Sequence, residues 1–150
     1  MIVESARSDW TAKGHASLAA RLCLSAVYVY SGICKLADIP AGVAEVTGLG
    51  LPAPGLFLAL TILVQLGCGM MVLVGFWTRL AAFVLLGFTV VATVLAHNPF
   101  GLDGVEFQRQ LTTSLEHLAI VGGFLLVIAR GAGPISIDGR TKRGSGRRIA

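Results

Sequence analysis

The sequence predicts an all-α polytopic membrane protein, an antiparallel bundle of four transmembrane helices with both termini in the cytoplasm. Of its 150 residues, 55% are hydrophobic and only 13% are charged, whereas soluble domains carry about 25% charged residues. The apolar residues fall into four runs, and a hydrocarbon core of roughly 30 Å is crossed by about 20 helical residues. Basic residues gather at one end of these runs, which indicates how the chain is oriented.

The first predicted span covers residues 16–36 and follows a polar, cytoplasmic N-terminal tail, residues 1–15. Its basic residues are Arg21 and Lys35, each near one end, where a long side chain can extend to the lipid headgroups. The apolar run is long and no small-residue cleavage pattern closes it. We therefore expect it to be a retained helix and not a removable signal peptide.

Residues 37–54 are punctuated by proline and glycine and predict a loop with at most one short turn of helix. The second span is predicted at 55–77 and the third at 80–98, which Pro99 closes. Between them Trp77 and Arg79 predict a tight reversal, with the indole as an interfacial anchor.

The fourth span is predicted at 111–129, which completes a membrane domain at 16–130. Residues 131–150 form a basic cytoplasmic tail with interspersed glycine and serine, and we expect it to be disordered or to lie on anionic lipid. So little chain remains outside the spans that a separate soluble enzyme domain is not expected.

The distribution of basic residues sets the predicted orientation. Of the 12 lysines and arginines, only Lys35 and Arg109 fall beside the two longer loops. The others are Arg21, Arg79 and the basic residues of the two tails. The tails and the Arg79 turn are therefore predicted to be cytoplasmic by the positive-inside rule. The net charge of +4 is thus interpreted as topology. No interleaving of basic and aromatic residues indicates nucleic-acid binding.

Polar residues recur at helical spacing within all four spans, where they are expected to face other helices or a wet cavity. Ionisable groups from separate spans fall at similar depth near the non-cytoplasmic side. They predict a pocket there, with Lys35 and His97 as the available partners for Glu116. The pocket candidates are Ser31, Lys35, Gln65, His97 and Glu116, with Tyr28 and His117 as weaker candidates.

A structural interpretation stays open for each of these residues. Lys35 could form an interfacial ion pair with Asp38, His97 could simply end a helix, and Glu116 could join helices by hydrogen bonds. No catalytic residue is assigned.

No motif predicts a built-in cofactor or metal site. The chain has no glycine-rich phosphate loop and no CxxCH motif. Its three cysteines, Cys23, Cys34 and Cys68, lack the close pairing of a redox motif or a thiolate metal site.

Several segments resemble the DoxX family of small four-helix bacterial membrane proteins, over roughly residues 18–138. The segments that carry the resemblance are Tyr30-Ser-Gly-Ile-Cys-Lys-Leu36, Gly48-Leu-Gly-Leu-Pro-Ala-Pro54, Gly75-Phe-Trp-Thr-Arg-Leu-Ala-Ala82, His97-Asn98 and Leu118-Ala-Ile-Val-Gly-Gly123. The chain departs from the family pattern twice. Gln65 stands where the family often has a glutamate, and Glu116-His117 stand where it often has a Lys-Asn pair.

The resemblance implies a bacterial inner-membrane protein that serves as a membrane subunit of a redox-linked system. Members are associated with thiosulfate:quinone oxidoreduction and with oxidative-stress or thiol-redox partners, so quinone is the expected ligand of the pocket. Any catalysis is then expected of a membrane oxidoreductase that contains this chain, and not of the chain alone.

Two other functions stay open. One is a non-catalytic anchor or assembly subunit of a larger membrane complex, which the absence of cofactor motifs favours. The other is a small-solute transporter, which the lack of an inverted repeat or broken helices disfavours. The expected partners are the bilayer, other membrane or redox subunits, and anionic lipid at the basic tail.

Overall fold

The computed structural model describes the backbone of residues 2–146 and the side chains of residues 14–141. Throughout the described chain the regular structure is helical. The six helices are α1 (Ile2–Ala37), α2 (Ile39–Gly48), α3 (Pro54–Val74), α4 (Thr78–Ala96), α5 (Gly104–Arg130) and α6 (Ile137–Gly146). Four segments are long and apolar enough to cross a membrane: Gly14–Ala37 within α1, and α3, α4 and α5 in full. The predicted all-helical, four-span membrane architecture is confirmed.

The reversal between α3 and α4 follows from a glycine. Gly75 has a positive φ of 75° and ends α3, with its N–H donating to the carbonyls of Met71 and Val72. A Cβ at this position would lie 2.4 Å from Ser136 Cβ, so both the backbone conformation and the space require glycine. Because α4 begins at Thr78, α3 and α4 are antiparallel neighbours.

Many large apolar side chains are exposed and several polar ones are buried, which is the distribution expected of a protein in a bilayer. Large apolar side chains such as Leu63, Phe83 and Leu118 are about two-thirds exposed, whereas Ser25 and Thr78 are fully buried. Lipid tails solvate leucine well, so burying it inside the protein gains little free energy. Polar groups, in contrast, need partners inside the protein. The apolar core contains Tyr28, Val72, Ala81, Ala82, Leu85, Phe124 and Val127.

The bundle consists of two closely packed pairs, α1 with α3 and α4 with α5. Glycines permit the closest approaches between helices. A Cβ at Gly69 of α3 would lie 3.1 Å from Val29 of α1, and one at Gly123 of α5 would lie 2.9 Å from Leu24 of α1. Small residues at such crossings let dispersion contacts hold the helices together.

The expectation that residues 37–54 form a loop was wrong, because α2 occupies most of them. Asp38 caps α2 by accepting a hydrogen bond from Ala41 N at 3.0 Å, and Pro40 lies in the first turn. An aspartate followed by an early proline is a helix start signal, which here outweighs the nearby glycines. Val46 of α2 is buried, and Gly42 approaches Leu58 of α3, so α2 covers one end of the bundle.

The beginning of the C-terminal tail is not disordered. The Asp138 carboxylate accepts hydrogen bonds from the backbone N–H groups of Trp77 and Thr78, each at 3.0 Å, and from Thr78 Oγ1 at 2.8 Å. Its own N–H donates to Gly75 O at 2.8 Å. A carboxylate at the start of α4 pairs the free N–H groups of that helix terminus and interacts favourably with its dipole. This fixes the start of α6 on the α3–α4 reversal.

Binding of the tail to anionic lipid stays a prediction. The side chains of Lys142 and Arg143, and all of Arg147 and Arg148, lie outside the described residues. At the other terminus, helix α1 extends back to Ile2 through the predicted N-terminal tail.

Arg21 was expected to extend toward the headgroups, but its side chain is only 1% exposed. The guanidinium donates to Val72 O at 3.1 Å and Leu73 O at 2.7 Å, and also to Ile135 O. The last carbonyls of a helix lack intrahelical partners and form the negative end of its dipole. Arg21 therefore joins α1, the end of α3 and the segment that leads to α6.

These contacts place the α3–α4 reversal and the start of the C-terminal tail at one end of the bundle, here called the tail end. Helix α2 and the α4–α5 connection lie at the opposite end, here called the α2 end. The assignment of the tail end to the cytoplasm stays a prediction from the basic residues.

Replacing Asp138 with alanine should lower the unfolding free energy by about 2 kcal/mol, because three hydrogen bonds to a carboxylate that caps α4 are lost. Thermal unfolding of the detergent-solubilised protein, followed by tryptophan fluorescence, measures the change. Asp103→Ala is the control, since Asp103 precedes α5 without a side-chain cap bond. Equal shifts in the two variants would contradict the docking role.

Replacing Gly123 with leucine should destabilise the bundle by about 1–3 kcal/mol, because the new side chain enters the space of Leu24. The adjacent Gly122 provides the control, since a Cβ there meets nothing within 4 Å. Gly122→Leu should be neutral or stabilising on the same measurement, as leucine favours the helix over glycine. The reverse order of stabilities would show that α5 is rotated relative to α1.

Candidate functional site

A cavity of about 490 Å³ lies between the spanning helices in the half of the bundle nearer the α2 end. Its wall is mainly apolar and is completed by α2. The sequence-predicted residues that line it are Tyr28, Ser31, Lys35, Gln65, His97 and His117. The structure therefore brings together every predicted pocket residue except Glu116.

The floor of the cavity is formed by Tyr28 of α1 and Thr89 of α4, whose hydroxyls are hydrogen-bonded to each other. Thr89 Oγ1 donates its proton to Leu85 O at 2.6 Å, so Tyr28 must be the donor of the pair. The Tyr28 ring packs against Phe124 at a centroid distance of 5.5 Å. The phenol is thus held by both its ring and its hydroxyl.

Gln65 of α3 contributes an amide side chain to the cavity wall. Its side chain is 5% exposed, and Nε2 donates to Ser31 Oγ at 3.2 Å. Oε1 is buried and has no hydrogen-bond partner among the described residues. Leaving a buried acceptor unpaired costs about 1–3 kcal/mol. This oxygen has almost no accessible surface, so it is not open to a ligand in the cavity.

Two histidines face each other across α4 and α5. Their ring centroids are 5.1 Å apart, and the planes meet at 80°. His117 Nδ1 is 2.7 Å from Thr93 Oγ1, and His97 Nδ1 is 3.1 Å from Gln110 Oε1. Each ring is therefore oriented by a neighbouring side chain, which leaves its Nε2 for other contacts.

Lys35 lies toward the α2 end of the cavity and pairs with Glu45 of α2, with Nζ 2.7 Å from Oε2. The sequence had offered Asp38 or Glu116 as its partner. Glu45 was missed because its segment was predicted to be a loop, whereas α2 places this carboxylate over the end of α1. The Glu45 side chain is 54% exposed, so the pair contributes little to stability.

The inclusion of Glu116 in the pocket is corrected. It does not line the cavity and its side chain is exposed. One residue further along α5 is a rotation of about 100°, and this rotation presents His117 to the cavity instead. The buried residues Phe124 and Val127 set the inward face of α5, and His117 lies two helical turns before Phe124 on that face.

Apolar side chains connect the cavity to the surface of the bundle. Leu60 of α3 and Val91 and Leu95 of α4 line the cavity, and each is about half exposed. The two helices meet at their short reversal, and near the α2 end the cavity lies between them. The cavity is therefore bordered by apolar side chains that also reach the surface of the bundle.

The two residues predicted to mark topology lie at the tail end. Trp77 is 61% exposed and stacks on Phe76 at 5.9 Å. Arg79 Nη2 donates to Ala129 O at 3.3 Å, which links the start of α4 to the end of α5. Neither residue contributes to the cavity.

Comparisons with known proteins agree with this architecture. The DoxX family model matches residues 16–98. The inner membrane protein YqjF of Escherichia coli is 33% identical over 81% of this chain and 88% of its own length. The inner membrane protein YphA of Escherichia coli is 25% identical over 82% and 88%, respectively. An uncharacterized membrane protein of Mycobacterium tuberculosis is 30% identical over 95% and 94%. No solved structure matches the chain.

Replacing Tyr28 with phenylalanine should lower the unfolding free energy by about 1 kcal/mol, since the buried hydrogen bond to Thr89 is lost while the ring contacts stay. Tyr30→Phe is the control, because Tyr30 is 72% exposed. Thermal unfolding in the same detergent compares them. A larger loss for Tyr30→Phe would contradict the assignment of the cavity floor.

Proposed function

The chain belongs to the DoxX family and is a multi-pass inner-membrane protein, and from this premise we propose that it is a membrane subunit of a redox-linked system. In this proposal its cavity binds a quinone-class molecule that enters from the bilayer. The electrons come from or go to a partner oxidoreductase subunit, since no motif in this chain predicts a flavin, haem or iron–sulfur cluster.

The observation that supports this proposal is the combination of an apolar opening with a polar inner wall. A quinone-class molecule has an apolar ring and tail and two oxygens at the ring edge. Leu60, Val91 and Leu95 suit the apolar part. Gln65, His97 and His117 provide hydrogen-bonding groups for the oxygens. The volume of about 490 Å³ lies within the usual range of small-molecule sites, roughly 300–1,000 Å³.

A cationic group in the cavity lining also supports a bound polar group. Lys35 is placed to interact with a ligand oxygen near the α2 end, although it also pairs with Glu45.

A link to sulfur, thiol or oxidative-stress chemistry is a finer proposal that rests on the family resemblance. Within such a system the chain would hold and orient the quinone, and the partner would carry the sulfur- or oxygen-reactive group. Any enzymatic activity would then belong to the assembled complex.

An anchor or assembly subunit is the second candidate, and the arrangement of the tail end favours it. Asp138 and Arg21 fix the start of α6 against the bundle, which gives a partner a preformed surface. The basic residues of the tail would add binding to anionic lipid. In this case the cavity would have no ligand of its own.

Purified protein in nanodiscs should retain quinone that is detected by mass spectrometry of the organic extract. Ala92→Phe, which fills the cavity wall, should reduce the retained quinone at least fivefold. Ala119→Phe is the control, since Ala119 is exposed on α5 and does not line the cavity.

Two results would contradict the quinone proposal. One is wild-type protein that retains no quinone above the level of an unrelated membrane protein. The other is equal retention by the Ala92 and Ala119 variants. Co-purification of a stoichiometric membrane partner in these circumstances would favour the assembly role.

A further inference from the structure

The hydrogen bonds around the cavity determine which form of a ligand it prefers. We propose that the cavity selects the reduced, dihydroxy form of a quinone-class ligand, because its two histidines present Nε2 as a hydrogen-bond acceptor. This inference rests on the proposed function and adds the oxidation state of the ligand.

The protonation of His117 follows from Thr93. Thr93 Oγ1 lies 2.7 Å from Thr89 O, and the carbonyl can only accept. The single hydroxyl proton of Thr93 must therefore lie between these two oxygens, since otherwise their lone pairs would repel each other. Thr93 Oγ1 then accepts from His117 Nδ1, 2.7 Å away. Neutral His117 carries its proton on Nδ1, and its Nε2 is an acceptor.

The protonation of His97 follows from Gln110 by the same reasoning. Gln110 Nε2 is 3.0 Å from Glu106 Oε1, and a carboxylate accepts hydrogen bonds, so this contact fixes the orientation of the amide. Gln110 Oε1 is then the atom that faces His97 Nδ1, at 3.1 Å. His97 must donate from Nδ1, and its Nε2 is also an acceptor when the ring is neutral.

The donors in the cavity do not oppose this preference. The Tyr28 hydroxyl donates to Thr89. Lys35 and Gln65 each use one N–H, toward Glu45 and Ser31, and keep others. A hydroquinone oxygen can accept from such an N–H as a quinone oxygen does, because a hydroxyl both donates and accepts. The hydroxyls of Ser31 and Thr61 can donate or accept, so they do not favour either form of the ligand.

The free acceptors lie at neighbouring depths. The Tyr28–Thr89 contact joins α1 and α4 at one level, and both helices run toward the α2 end. Ser31, which holds Gln65, lies about 4.5 Å above that level, and Thr93, which holds His117, lies about 6 Å above it. His97 is one turn beyond Thr93. A ring at this depth can therefore direct hydroxyl groups toward the two histidines.

The two oxidation states of the ligand interact differently with such a wall. A hydroquinone presents two O–H donors, which match the free acceptors. A quinone presents two carbonyl oxygens, whose lone pairs would face those of the two histidine Nε2 atoms. Leaving a buried acceptor unpaired costs more free energy than a hydrogen bond contributes. We therefore expect the hydroquinone to bind at least tenfold more tightly than the quinone.

Anaerobic equilibrium dialysis against the protein in nanodiscs tests this preference directly. The probes are tetramethylhydroquinone, the matching tetramethylbenzoquinone, and the dimethyl ether of the hydroquinone, which keeps the ring but lacks both donors. We expect the hydroquinone to bind at least tenfold more tightly than either of the others. His117→Phe should reduce this ratio several-fold, while His15→Phe, an exposed histidine near the tail end, should leave it unchanged.

The outcomes separate the two proposals. If quinone binds as tightly as hydroquinone, or more tightly, the selectivity is overturned and the quinone-class site stands. If none of the probes binds and no quinone is retained, both proposals fail.

A second measurement needs no ligand. Nitrogen-15 spectra of the protein labelled at histidine should show His97 and His117 protonated at Nδ1 and unprotonated at Nε2. Thr93→Val should change the signals of His117, whereas Thr112→Val, on the exposed side of α5, should not. Nε2 protonation of both rings in the wild-type protein would overturn the proposal whatever the probes show.

Discussion

The structure depends on the rule that a polar side chain inside a bilayer must find its partner within the protein. Apolar surface gives little reason for one helix to prefer another over lipid. Polar contacts between helices therefore decide how these four are arranged. Arg21 joins α1 to the end of α3, Tyr28 joins α1 to α4, and His117 joins α5 to α4. Each contact crosses a different helix interface, so together they fix all four spans relative to one another.

The same rule explains why a polar cavity persists in this bundle. Tyr28, Thr89 and Thr93 satisfy one another or the backbone, so the wall is rigid and most of its polar groups are paired. The polar atoms of the wall that are left without a hydrogen-bond partner belong to residues such as Gln65 and the two histidines. A fully paired wall would be inert and a largely unpaired one would be unstable. This wall has a few free acceptors on a supported frame, as a binding site requires.

The sequence predicts the spans well because their signal, a long run of apolar residues, directly reflects the thickness of the bilayer. It predicts the rotation of a helix poorly, because α5 has polar residues on more than one face and a shift of one residue turns a side chain by about 100°. This is why Glu116 was assigned to the pocket together with His117, which in fact lines it. Glu45 and Asp138 were missed because their roles depend on α2 and α6, and glycine and proline obscured both helices. Six of the predicted residues nevertheless line one cavity, since polar groups in separate spans tend to converge.

The chain differs from the family pattern at Gln65 and Glu116, and the structure places these two residues differently. Gln65, at the position where the resemblance places a glutamate, lines the cavity, whereas Glu116 lies outside it. The carboxylate has therefore not moved from one wall of the cavity to another. Instead, a neutral amide stands where an acid would need a proton or a countercharge to be tolerated at this depth. An amide is neutral at every pH, so Gln65 links α3 to Ser31 of α1 without bringing a charge into the bilayer. The acceptors of the wall are then the two histidines, whose Nδ1 protons are held by Thr93 and Gln110.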